Sequence, residues 1–178
     1  MKPIIFFVMA LVLYIVIHEG THALLAMHFD EYKDIHIRLY GVEVEYKTPV
    51  DQRVGLKWGF ISGVSNSLTL AIGYVLFLSR KKLHDIRIEA RGWLLFYIAI
   101  VFMLADAFNL SIGPLIYGGD IGGIVEGFSV NRYFIQTVFL AVLMLNRELI
   151  GQMFLPAMNV KTKHIVFQPL IRIKRNSL

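Results

Sequence analysis

Residues 3–27 read PIIFFVMALVLYIVIHEGTHALLAM, and this stretch decides the fold class. A helix needs roughly 20 residues to cross the hydrocarbon core of a bilayer. This segment is long enough and is apolar except at His18, Glu19, Thr21 and His22. It also has the outline of a secretory signal peptide, with Lys2 followed by an apolar run to Ile17. A signal peptide's apolar region is about 7–15 residues long and ends at a small-residue cleavage site. Here the apolar character resumes at Ala23-Leu24-Leu25-Ala26-Met27, so the expectation is a retained membrane helix.

Working outward, three further stretches have the same character. Residues 58–78 carry no charge, residues 92–110 carry only Asp106, and residues 133–158 are apolar up to Asn146-Arg147-Glu148. The composition agrees. The chain is 56% hydrophobic with a mean hydropathy of +0.60, and 17% of its residues are charged, against about 25% in soluble domains. The expected fold is therefore a membrane all-α bundle of about four transmembrane helices. One domain spans residues 1–160, and a basic tail, residues 161–178, touches lipid headgroups or is simply solvated. Trp58 and Trp93 stand at span ends, where amphipathic rings favour the interface. The net charge of +5 does not argue for nucleic acid, because Lys and Arg clusters in such chains set topology or meet anionic lipid. With no cysteine, disulfides and thiolate metal sites are excluded.

Residues 34–47 alone have strand periodicity. A two-residue turn at Tyr40-Gly41 places Leu39 opposite Val42, Ile37 opposite Val44 and Ile35 opposite Tyr46 on one face. The other face then pairs Arg38 with Glu43, His36 with Glu45 and Asp34 with Lys47. A β-hairpin between the first two helices is expected.

The polar cluster of the first span carries the chemistry. In His18-Glu19-Gly20-Thr21-His22 the two histidines are four residues apart, so both imidazoles can be aimed at one metal ion. Glu19 is placed to take a proton from water. Ionisable groups are costly inside a membrane and mark functional sites there. Zinc fits His and carboxylate ligands and needs a third protein ligand with one position left open. The candidates for that ligand are His28, His36, His84, His164, Asp106 and Asp120. The glycines around Asp120 let the backbone bend and approach closely. Ser62, Ser65, Asn66, Ser67 and Thr69 in the second span line a water path or pack helices.

These motifs resemble the site-2 protease family of intramembrane metalloproteases: the HEGTH in a span, Asn109-Leu110-Ser111-Ile112-Gly113-Pro114 after the third, and then Asp120. The resemblance extends to about Gly123, and Ser62-Gly63-Val64-Ser65-Asn66 is loosely similar to the family's intervening core segment. Two spacings are longer than the family pattern, and Ile121 stands where the pattern has glycine. The resemblance implies His18, His22 and Asp120 as Zn2+ ligands, Glu19 as the catalytic acid/base and Asn109 near the reaction centre. It also implies the hairpin's position.

The expected function is zinc-dependent hydrolysis of peptide bonds in membrane-spanning or membrane-associated proteins. Zinc activates water, and Asn109 helps to stabilise the oxyanion. Asn66 and the hairpin residues Ile37, Leu39, Val42 and Val44 are expected against substrate, which adds a strand to the hairpin edge. The rival reading is a metal-binding membrane protein without protease activity, either a cation carrier or an inactive relative. Eleven Lys and Arg lie on the side of the N-terminus and six on the hairpin side, which favours a cytoplasmic N-terminus. The resemblance favours a site nearer the cytoplasm, so orientation stays open.

Overall fold

The computed structural model describes residues 3–38, 41–86 and 90–170. Its elements are α1 (Pro3–His28), β1 (Tyr32–Arg38), β2 (Gly41–Tyr46), α2 (Leu56–Leu78), α3 (Arg80–Ile86), α4 (Ala90–Ser111), α5 (Ile121–Phe128) and α6 (Arg132–Leu149). A π-helical turn, Ile150–Phe154, and a last turn, Leu155–Ala157, continue α6. Among the described residues four helices are long and apolar enough to cross a membrane: α1, α2, α4 and the extended α6. The fold is a four-span helical bundle with a hairpin between its first two long helices.

Solvation preference explains how the helices are arranged. On α1, Ile4, Val8, Val12 and Val16 recur every four residues and are each at least half exposed. Such an apolar stripe is at home against lipid and is a liability in water. The centre of the bundle is α4, the most buried of the four spans. Its Phe96 stacks on Phe154 at 5.5 Å, and Ala99 and Met103 join Phe77, Ile150 and Met158 in the main core. Fully buried Asn146 ties three helices together. It accepts from the Tyr74 hydroxyl at 2.6 Å and donates to the Met103 carbonyl at 2.6 Å.

The short helix α5, which periodicity does not reveal, lies against α2. A side chain on Gly127 would collide with the backbone of Gly59, so the two helices meet at van der Waals contact of their main chains. Small residues permit that approach in membrane bundles. Asn131 then caps α6, its carboxamide oxygen accepting from Tyr133 N at 2.8 Å and Phe134 N at 3.2 Å.

The hairpin forms with a different register. Ile37 pairs with Val42, Ile35 with Val44, His36 with Glu43 and Arg38 with Gly41, a shift of two residues from the expected pairing. A shift of two keeps every side chain on its expected face. The hairpin is tied down at its base. Buried Glu31, just before β1, accepts from Thr48 Oγ1 at 2.7 Å, Thr48 N at 3.2 Å and the Lys57 ammonium, and its carbonyl accepts from Lys47 N at 2.8 Å. A bulge between Tyr32 and Asp34 absorbs the offset. The expected charge pairs survive as diagonals, with Arg38 Nε 3.0 Å from Glu43 and His36 Nε2 2.8 Å from Glu45. Lys47 pairs with Asp30 instead of Asp34. Of the expected Tyr40-Gly41 turn, Gly41 is instead the first residue of β2, paired with Arg38, while Tyr40 and its neighbour Leu39 lie outside the described residues.

Two further expectations change. Trp58 is 1% exposed and sits beneath the Arg53 guanidinium, so it is a core residue and not an interfacial anchor. The first part of the tail packs on the bundle: Arg147 donates to the carbonyls of Ile165 and Gln168, and Leu170 N donates to Glu148 at 3.1 Å. Residues 171–178 of the tail lie outside the described residues.

Candidate metal centre

Three polar stripes meet where α1, α2 and α4 pack together. Tyr14, His18 and His22 recur every four residues on α1. Ser62, Ser65, Asn66 and Thr69 share a face of α2, and Asp106 and Asn109 share one of α4. Most of these groups are buried, with His18 at 4%, His22 at 2% and Asp106 at 0% exposure. Asp120 reaches the same point from the α4–α5 connection. Before it, Gly119 has φ +64°, and a side chain there would strike Asn109 Oδ1.

His18, His22 and Asp120 can hold a metal ion. The two Nε2 atoms are 3.2 Å apart; His18 Nε2 lies 3.1 Å from Asp120 Oδ2, and His22 Nε2 lies 3.2 Å from Asp120 Oδ1. Ligand atoms bonded at about 2.0–2.2 Å to one tetrahedral ion lie about 3.3 Å from one another, so the spacing of the two Nε2 atoms, and of each from one Asp120 oxygen, is of the size such a shell needs.

The surroundings orient each ligand. His22 Nδ1 is 2.6 Å from the Ile61 carbonyl. A carbonyl only accepts, so Nδ1 carries the proton and the Nε2 lone pair faces the centre. Ser65 Oγ lies 2.9 Å from that Nε2. Asp120 Oδ2 accepts from Asn66 Nδ2 and from Asn109 Nδ2, each at 2.8 Å. Asn109 Nδ2 also donates to Asn66 Oδ1 at 3.1 Å, and the Tyr117 hydroxyl donates to Asn109 Oδ1 at 2.9 Å.

The two acids have no fixed cation. The partners of Asp106 are Tyr14, His18 and Thr69, and those of Asp120 are the two histidines and the two asparagines. Among the described residues neither acid pairs with Lys or Arg. Uncompensated carboxylates in such a setting are expensive, so the charge of Asp106 and Asp120 has to be balanced at the site itself, by the histidines or by a bound cation.

Glu19, the next residue after His18, is half-buried and accepts no hydrogen bond among the described residues. The other expected site residues are placed differently from one another. Asn66 is 2% exposed, and both hydrogens of its amide are taken by Asp120 and the Ser62 carbonyl. Asn109 likewise has both amide hydrogens engaged, so neither is free for an oxyanion. In the hairpin, Val44 is 5% exposed and already packed, Val42 is half-buried, and Ile37 is 86% exposed. Leu39 lies outside the described residues. Among the other candidate ligands, His36 pairs with Glu45, and His164 Nδ1 accepts from Val166 N in the tail. Sequence reasoning weighed Asp106 as a ligand but missed its contact with the Nδ1 edge of His18 and missed Tyr14 altogether. The four-residue step from Tyr14 to His18 was the available signal.

Fold and site together define a four-span helical bundle with a buried His-His-Asp group suited to a metal ion. No family model, curated protein or solved structure matches the chain.

Proposed function

We propose that this chain is a zinc-dependent intramembrane endopeptidase, similar to the site-2 protease family, embedded in the cell membrane as a multi-pass protein. The observation that carries the reading is the convergence of His18, His22 and Asp120 within 3.1–3.2 Å, one helical step from an unengaged carboxylate at Glu19. Two histidines and one carboxylate, with no thiolate, are the ligand set of zinc hydrolases. When bound, zinc supplies a Lewis acid and a water acidified to about pKa 7.

The chain's own residues supply the rest of the chemistry. Ile61 and the two asparagines hold the ligands in place. Glu19 receives a proton from water as a peptide carbonyl is attacked, and returns it to the departing amine. The Asn109 amide orients Asp120, so its expected part at the oxyanion is not retained. A substrate helix must open to expose its carbonyls. The outer edge of β1, with Ile37 projecting from it, suits an extended segment adding as a strand.

The rival carrier needs ligands distributed along a path across the membrane. Here His18, His22, Asp106 and Asp120 gather at one place, and Glu19 has no part as a ligand. The test is Glu19→Gln in purified protein: zinc is retained and cleavage of a membrane substrate is lost. A fully active Glu19→Gln protein would sink the assignment.

A further inference from the structure

Asp106 is fully buried in the middle of α4, the central helix, and a carboxylate there needs a reason. Its Oδ1 lies 3.2 Å from His18 Nδ1 and accepts from the Tyr14 hydroxyl at 2.8 Å, while Oδ2 accepts from Thr69. The carboxylate therefore meets His18 on the ring edge opposite Asp120. His18 Nδ1 has no other partner among the described residues, and the Asp106 oxygen lies off its N–H direction. At 3.2 Å the two atoms are within hydrogen-bonding distance.

From this geometry we infer that Asp106 is a positioning residue for the metal ligand His18. It accepts the Nδ1 proton, which leaves the Nε2 lone pair directed at the ion beside Asp120. The role rests on the metal-site reading above, and three observations support it. The two carboxylates sit on opposite edges of one imidazole, so one can ligate while the other orients. His22 has the same arrangement with a carbonyl, its Nδ1 on Ile61 and its Nε2 on the centre. Tyr14 and Thr69, from two different helices, each donate to one oxygen of Asp106 and stop it from swinging towards the metal itself. Metal-ligating histidines are commonly oriented in this way, and loss of the orienting group lowers metal affinity by about 10–100-fold.

A carboxylate that only holds helices together would give different results. The experiment measures zinc affinity of the full chain in detergent by chelator competition, for wild type, Asp106→Leu and Asn146→Leu, with a melting temperature for each metal-free protein. The expected result is zinc affinity about 10–100-fold weaker in Asp106→Leu and close to wild type in Asn146→Leu. Equal zinc affinity in folded wild type and Asp106→Leu overturns the positioning role and leaves the metal site standing. A wild-type protein that binds no zinc overturns the site reading and this inference with it. Nitrogen-15 NMR of histidine-labelled, zinc-loaded wild type needs no variant: His18 should be ligated through Nε2 and protonated at Nδ1. Ligation through Nδ1 contradicts the inference.

Discussion

Gly127 of α5 lies against the backbone of Gly59 in α2 with no room for a side chain between them. That contact places Asp120, at the start of α5, within 2.8 Å of Asn66 on the same face of α2. The third ligand of the candidate centre is therefore held by main-chain packing seven residues away. Gly127→Ala should destabilise the protein by about 1–3 kcal/mol through overpacking and weaken metal binding. Gly122→Ala is the control, because a side chain there meets nothing. It should be neutral or stabilising by up to about 1 kcal/mol. Melting temperatures and zinc titrations of the two variants check the contrast.

Asn109 gives a second test. Both hydrogens of its amide are engaged, one of them with Asp120 Oδ2. Asn109→Ala should lower metal affinity by about 10–100-fold, as loss of an orienting group does. If Asn109 instead served the oxyanion, the variant would bind zinc as wild type does and lose only turnover. Chelator competition alongside a cleavage assay separates the two outcomes.

Much of this architecture can be read from residue order, and the failures have physical causes. The long helices are legible because a bilayer requires long apolar runs. The pairing of His18 with His22 is legible because both lie on one turn-spaced face. The hairpin's faces are legible from alternation, but its register is not, because the tie from Glu31 to Lys47, Thr48 and Lys57 joins residues up to 26 positions apart. The helix α5 escapes notice because it is short and its Gly-rich sequence reads as a turn; only contact with α2 makes it a helix. In sequence, the flanking glycines favour Asp120 as a ligand and leave Asp106 only as its alternative. Which edge of His18 each one meets depends on how α1 and α4 rotate against each other.

Glu31 makes the base of the hairpin pH-sensitive. The hydrogen bond from Lys57, with those from Thr48, holds the Glu31 carboxyl below the usual range. A carboxyl depressed on folding stabilises the protein above its unfolded pKa, about 4.3. That contribution is lost as pH falls through the lower folded value. Glu31→Gln should therefore be less stable than wild type at pH 7, by about 1–3 kcal/mol. The gap should narrow as pH drops below 4. Unfolding curves of both proteins across that range measure it.

At the other end of the bundle, Asn146 joins Tyr74 to the Met103 carbonyl. Asn146→Leu removes this link among α2, α4 and α6. Hydrogen bonds between membrane helices contribute about 0.6 kcal/mol on average and up to about 1.7 kcal/mol, and the loss should fall in that range. Zinc affinity should not change, since Asn146 touches none of the ligands. Thermal unfolding with a parallel zinc titration tests both parts.

His18, His22 and Asp120 together should bind one metal ion. Metal analysis of the purified protein, with His22→Ala and Asp120→Ala beside it, measures this. One zinc per wild-type chain and none in either variant is expected, with both variants still folded. Zinc retained in folded Asp120→Ala, or absent from folded wild type supplied with zinc, would contradict it.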